Sequence, residues 1–556
     1  MVSPEKPPMP QLDTLKERKR RRLERAGRVT ASKVFDHARA VEMLEAVLEK
    51  GDRVCIEGNN QKQADFLAAA LAGCDPGLVS GLHMVMSSVS LPEHIALFEK
   101  GIAERLDFCY SARVAARLAS LVANRKIAIC AIHTYPELYA RYFTYLTPHV
   151  SLICADAADA EGNLFTGFNT EDTAVISEAT AFRNGLLIAQ VNEIVERLPR
   201  VDIPGDWVDF IVRSPKPYSI TPLFTRDPAD LNEVKVLMGM MVIKGIYAEY
   251  GVQYLNHGIG YNTAAIELLL PTYAEALGLK GKICEHWMLN PHPTLIPAIE
   301  SGFVKSVYCP GSEVGMEEYI RARPDVFFTG HDGAMRSNRC MAHLAGHYGL
   351  DMFIGATLQI DLRGDSSTAT IGRITGFGGA PNLGCDARGR RHASPAWIKA
   401  GLDWAPARGR AAARGRKLVV QLVETFQEGG KPTFVEELDA VRLQRDMGQE
   451  IPPIMIYGDD VTHIVTEEGI ANLLLCRDAK ERREAIRGVA GFTPVGMRRS
   501  PAAVDNLRDR GVVKRPDDLG IRWRDASTDL LAARSIKEIV EWSKGLYRPP
   551  AQFVRW

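Results

Sequence analysis

The sequence has no surplus of either charge: Lys and Arg total 68 and Asp and Glu total 68, so no basic field gathers nucleic acid. It has no uninterrupted apolar run of about 18 residues, the length a membrane-spanning helix needs. Met1 is followed by Pro-rich polar sequence in place of an apolar signal core, which predicts a cytoplasmic location. The ten cysteines include no CxxC pair, so their spacing gives no disulfide or zinc framework and predicts reduced, mostly buried thiols. Cys284 stands apart only because it adjoins Glu285.

What is present is ordinary for a folded enzyme. Hydrophobic residues make up 46% and charged residues 24% of a 556-residue chain, enough for two or three domains with substantial cores. The one charge concentration, KERKRRRLER at 16–25, reads as a solvated helix face or interface tail within an N-terminal basic segment, 1–28.

Short apolar runs alternate with helical patterns, which predicts an α/β fold of two related domains with largely parallel sheets. Arg53–Ile56 reads as a strand entering the polar loop GNNQ at 58–61, and 62–71 carries a helical apolar pattern. The design recurs at 252–270, where Val252–Leu255 runs into HGIGYN and then a helix expected to stop at Pro271. Runs at 126–131 and 150–154 have the continuous apolar character of strands covered on both faces. They lead into HTYPE at 133–137 and the polar stretch 155–172, on the side of a parallel sheet where ligands bind. The boundary between a first domain, 29–228, and a second, 229–556, is placed near Pro228.

The chemistry concentrates between His257 and Asn382. Two glycine loops, HGIG at 257–260 and GFGG at 376–379, flank a carboxylate, Glu285. Glycines let backbone N–H groups approach an anion or a developing oxyanion. Neither loop completes the dinucleotide fingerprint, since Thr263 stands where its third glycine belongs. His343, His347 and Asp351 have the spacing of one helix face, but without the HExxH glutamate they give a weak metal signal. The Pro-fixed segments HTYPELY at 133–139 and NPHPT at 290–294 suit either a substrate pocket or a subunit interface.

Longer motifs carry a family resemblance: GNNQKQADFLA at 58–68, HTYPELYARYF at 133–143, EGNLFTGFNTEDT at 161–173, EHWMLNPHPTLIPAIESG at 285–302, QIDLRGD at 359–365 and IYGDDVTHIVTEEGIANL at 456–473. In this order they resemble the α subunit of malonate decarboxylase, itself similar to the CoA-transferase superfamily. The resemblance runs from about Gly51 to Pro494.

The resemblance implies an acyl-carrier-protein transferase that exchanges malonate for acetate on a carrier-protein thiol, with a separate subunit decarboxylating the malonyl group. No cofactor would be held permanently; the phosphoribosyl-dephospho-CoA arm acted on belongs to the carrier protein. The partners implied are that carrier protein and the decarboxylase subunits. Most of the site would come from the second half, with Glu285 as the catalytic candidate aligned to the superfamily's strand-end nucleophile. Gly258, Gly260, Asn262, Gly376, Phe377, Gly378, Gly379 and Asn382 would bind substrate. Carrier-protein transferases of this type also allow direct attack by the incoming acid, in which case Glu285 only positions substrate or forms an ion pair at a strand end. Arg336, Arg339, Arg363 and Arg373 lie near enough in sequence to clamp the second carboxylate of malonate. Two other readings stay open at this point, an acyl-CoA hydrolase or CoA-transferase using free CoA and a mainly structural scaffold subunit.

Overall fold

A computed structural model describes residues 12–58, 62–111, 113–168, 172–329, 344, 349–385, 394–408 and 415–556. The chain divides between Ile220 and Thr221 into two units, with residues 134–136 grouped with the second.

The first unit is built on nine strands: β1 Val34–Phe35, β2 Arg53–Ile56, β3 Leu82–Val89, β4 Ala103–Ser111, β5 Ala128–Ile132, β6 Val150–Ala158, β7 Leu164–Phe165, β8 Leu186–Ile194 and β9 Phe210–Arg213. They lie in the order β1-β9-β8-β6-β2-β3-β4-β5, with β7 on β6. Every pair is parallel except β6 with β7. All eight residues of β3 are buried, as a strand covered on both faces requires.

The basic run is helical and mostly exposed, with one arginine buried. It is the helix Leu12–Ala26, docked on the first unit by a buried guanidinium. Arg22 is 2% exposed and donates to both carboxylate oxygens of Asp52 at 2.8 Å. Burial alone would raise the Asp52 carboxyl, but His149 and Arg22 outweigh it and hold it far below the usual carboxylate range. Arg25 adds a bond to the carbonyl of Ala46 and Lys19 an ion pair with Asp209. The positive charge therefore meets acidic partners of its own chain.

The main sheet of the second unit contains β10 Tyr254–His257, β11 His286–Met288, β12 Ser306–Tyr308, β13 Met352–Gly355, β18 Leu418–Leu422, β19 His463–Thr466, β20 Gly469–Asn472 and β21 Val513–Lys514. Its order is β12-β11-β10-β13-β18-β19-β20-β21. The pairs from β12 to β19 are parallel, and β20 and β21 are added antiparallel. Between β13 and β18 the chain forms two small antiparallel ribbons, β14 Gln359–Ile360 with β15 Ser366–Ser367 and β16 Ala369–Thr370 with β17 Arg373–Ile374. Gln359–Ile360, the start of QIDLRGD, thus lies in a ribbon outside the main sheet.

Pro271 does not stop the helix that follows HGIG. Tyr261–Leu269 is α-helical, and Leu270–Ala274 continues it with π geometry, Pro271 sitting at the start of that turn. A wider turn absorbs the N–H that proline cannot supply.

Candidate active site

Strand polarity decides which predicted residues meet. In a parallel sheet ligands sit beyond the carboxyl ends of the strands. HGIG leaves β10 at that end: Gly258 donates to the carbonyl of Ile354 at 2.7 Å, and a Cβ on Gly258 would lie 3.0 Å from the Cα of Gly355. Glycine is therefore needed there for close approach of two backbones. Gly260 opens the helix Tyr261–Leu269, and a Cβ on it would meet only the Thr263 hydroxyl, at 4.0 Å. Thr263 Oγ1 fixes the loop by donating to the carbonyls of Gly258 and Gly260. The first N–H groups of this helix have no acceptor within it, and Asn262 lies in the same turn with its buried Oδ1 unpartnered. The buried Oδ1 of Asn290, which follows β11 at the same sheet end, is unpartnered too.

GFGG leaves β17. Gly376 (φ 76°) and Gly378 (φ 58°) both take the left-handed conformation, and Phe377 between them is buried. Gly379 precedes the short helix Ala380–Leu383, which contains Asn382. Each loop is anchored to backbone of its own unit. Gly258 abuts Gly355, and the chain runs on from there to Thr368, whose hydroxyl donates to the carbonyl of Gly376.

Glu285 lies at the other end of the sheet. β10 pairs with β11 through Tyr254 with His286, so Glu285 is level with Gln253, before either strand begins. At roughly 3.3 Å per residue it lies about 13 Å along the strand direction from the level of His257. Its carboxylate pairs with Lys305, whose side chain is 58% exposed. The reason is local: Cys284 takes φ 60°, a left-handed turn that stops an extended chain just before Glu285, and Trp287 Nε1 clamps the turn by donating to the Cys284 carbonyl at 2.7 Å. Glu285 therefore does not end a strand. The strand begins after it, and the residues leaving its carboxyl end are Leu289 and Asn290. Burial pushes the Cys284 thiol well above its usual range, so it is an inert core residue.

Beneath HGIG lies a network centred on Glu267. This fully buried carboxylate accepts from Nδ1 of His257 at 2.9 Å, from Nδ1 of His292 at 2.8 Å and from the hydroxyl of Thr294. With Nδ1 of His257 donating, its Nε2 accepts from the Tyr247 hydroxyl at 2.6 Å. Trp287 packs edge-on to the His257 ring, 4.5 Å between centroids, and Phe224 stacks on His292 at 5.3 Å. Burial would raise the Glu267 carboxyl, yet the charge of His292 and the hydrogen bonds from His257 and His292 hold it far below the usual range. Burial also lowers His257, favouring the neutral ring. The network ties the stem of HGIG, the helix after it and the NPHPT loop into one rigid unit. NPHPT thus turns its histidine and threonine inward. The sequence signal for Glu267 was a lone carboxylate inside the apolar helix TAAIELLL.

The remaining candidates separate. Arg363 pairs with Asp361 and Asp365, and Arg373 is exposed. Arg336, Arg339, His343 and His347 lie outside the described residues. Asp351 is not on a helix: it precedes β13 and accepts from the backbone amides of Gln253 and Tyr254 at 3.1 Å.

The second sheet, with the HGIG loop and the unpartnered Asn262 and Asn290 oxygens at its carboxyl end, belongs to a CoA-transferase type of fold. An acyl-CoA transferase of Escherichia coli O157:H7 shares that fold, with a TM-score of 0.50 at 14% identity over 78% of this chain and 87% of the other. Residues 11–556 match the family model described as malonate decarboxylase, alpha subunit, transporter, and the chain belongs to that family. It is 58% identical over 529 residues, 94% of this chain and 95% of the relative, to the acetyl-S-ACP:malonate ACP transferase of Malonomonas rubra. It is also similar to a chain of a Pseudomonas malonate decarboxylase hetero-tetramer solved with malonate: TM-score 0.93 and 57% identity, over 99% of this chain and 100% of that one. Among the described residues no helix is long and apolar enough to cross a membrane.

Proposed function

We propose that this chain is the acyl-carrier-protein transferase subunit of a cytoplasmic malonate decarboxylase, converting acetyl-S-carrier protein and malonate to malonyl-S-carrier protein and acetate. The observation that carries the reading is 58% identity sustained over 94% of the chain to a protein named for that activity. Its partners are the carrier protein, whose phosphoribosyl-dephospho-CoA arm bears the thioester, and the decarboxylase subunits.

The exchange proceeds by direct attack. One carboxylate oxygen of malonate adds to the acetyl carbonyl, and the C–S bond breaks to give a mixed anhydride and the arm's thiolate. The thiolate then adds to the malonyl carbonyl, the C–O bond breaks, and acetate leaves. No net proton transfer is required. Each addition places negative charge on a carbonyl oxygen, and backbone N–H groups of HGIG and GFGG are suited to receive it. Direct attack is favoured because Leu289 and Asn290, not a glutamate, leave the carboxyl end of β11. Gly258, Gly260, Asn262, Gly376, Phe377, Gly378, Gly379 and Asn382 remain the substrate-binding residues of this reading.

The test incubates the purified chain with acetyl-carrier protein and labelled malonate. Labelled malonyl-thioester on the carrier protein is the expected result, with free acetyl-CoA a poor donor. A free-CoA transferase or hydrolase would use acetyl-CoA equally well, and a scaffold would transfer nothing to either acceptor. Hydroxylamine trapping is expected to find no adduct on Glu285.

A further inference from the structure

Three strands of the first unit bring a histidine, a carboxylate and a thiol to one point. His83 on β3, Asp107 on β4 and Cys130 on β5 each offer a ligand atom within 4.8 Å of the other two. His83 Nε2 and Asp107 Oδ2 are 2.6 Å apart. The thiol is brought there by a backbone irregularity. The β4–β5 register steps from Leu106 opposite Ile129 to Asp107 opposite Ala131, leaving Cys130 as the extra residue of a bulge on the edge strand. Bulges re-aim the side chain they carry. His83 and Asp107 are buried, whereas Cys130 is partly exposed, so the cluster has an opening at its sulfur.

We propose that His83, Asp107 and Cys130 form a binding site for a single zinc-class divalent cation. Imidazole nitrogen, carboxylate oxygen and thiolate sulfur are the ligand types zinc takes, at about 2.0–2.3 Å, which places ligand atoms about 3.3–3.8 Å apart in a tetrahedron. Ligand atoms within 4.8 Å reach that spacing by small rotations, with solvent taking the fourth place. The outer partner is in position: His133 Nε2 contacts the second oxygen of Asp107 at 2.6 Å, fixing the carboxylate as metal sites require. A bound ion would fasten edge strand β5 to β4 and β3 at the start of the HTYPE segment. Arg105, the exposed neighbour on β4, interacts with the Cys130 thiol and has to swing into solvent for the ion to enter.

The test uses the full chain, stripped with a chelator and titrated with Zn2+ or Co2+ alone. One equivalent is expected to bind, Co2+ giving a near-ultraviolet thiolate-to-metal charge-transfer band, and Zn2+ slowing alkylation of Cys130 at least tenfold while leaving Cys385 and Cys476, the other partly exposed thiols among the described residues, unchanged. Cys130→Ser is expected to abolish the charge-transfer band. His133→Ala should weaken binding by about 10–100-fold, and Arg105→Ala should tighten it. Unaltered alkylation of Cys130, or a charge-transfer band that survives in a folded Cys130→Ser protein, overturns the proposal.

Discussion

Each unit holds a carboxylate between two imidazoles, and the two arrangements behave differently. In the first, Asp107 meets the Nε2 atoms of His83 and His133, both at 2.6 Å, beside a partly exposed thiol. In the second, Glu267 meets the Nδ1 atoms of His257 and His292, closed in by Trp287, Phe224 and Tyr247. Burial opposes charge on His83, His133 and His257, but the outcome differs: hydrogen bonds to Asp107 overcome it and raise His83 and His133, while burial prevails at His257 and lowers it. The same three-residue unit is open to a further ligand in one setting and a sealed brace in the other. What separates them is a bulge that brings in a thiol, against a shell of aromatic rings.

Breaking the sealed brace should have the largest effect. Glu267→Ala leaves two buried histidines and a threonine without their acceptor, and a loss of about 3–5 kcal/mol is expected, read as a lowered thermal unfolding midpoint of the full chain. Transfer activity should fall with it, because the stem of HGIG loses its support. Asp107→Asn keeps the shape of the other cluster and lies nearer solvent, so its expected cost is smaller, about 1–3 kcal/mol by the same measurement.

The pH dependence sharpens the contrast. His257 is lowered in the folded protein, so its contribution is present above the unfolded histidine value and is lost as pH falls through the folded one. Glu267, also lowered, contributes above the unfolded carboxylate value and loses that contribution at still lower pH. Hydrogen exchange of residues 254–269 should therefore accelerate on the acid side, and Glu267→Gln should lessen the acid dependence below the unfolded carboxylate value. Thr294→Val removes one donor to Glu267 and should cost about 1 kcal/mol while leaving the fold intact.

The smallest effect belongs to Glu285. Its partner Lys305 is mostly exposed, so Glu285→Ala is expected to change stability by about 0–1 kcal/mol and to leave the exchange of malonate for acetate at full rate. A large loss of activity would show that the amino end of the second sheet takes part in the chemistry.

The repeating α/β pattern was legible because buried parallel strands must be written as apolar runs: 53–56 and 150–154 stand where strands form, and HGIG marks a strand exit. Glu285 stands at the opposite end of the sheet from the one the resemblance implies because one left-handed residue, Cys284, breaks the extended chain and the strand begins only at His286, after the glutamate. The helix at 16–25 was legible, but the burial of Arg22 was not, since its partner Asp52 lies 30 residues away.

By itself the sequence determined the α/β class, the family and the glycine loops, all of which rest on local composition and on motifs in a fixed order. Only the tertiary structure decided which carboxylates matter. Glu267, Asp107 and Asp52 acquire their roles from side chains on other elements, and a charge's behaviour depends on burial and partners that no stretch of chain contains by itself.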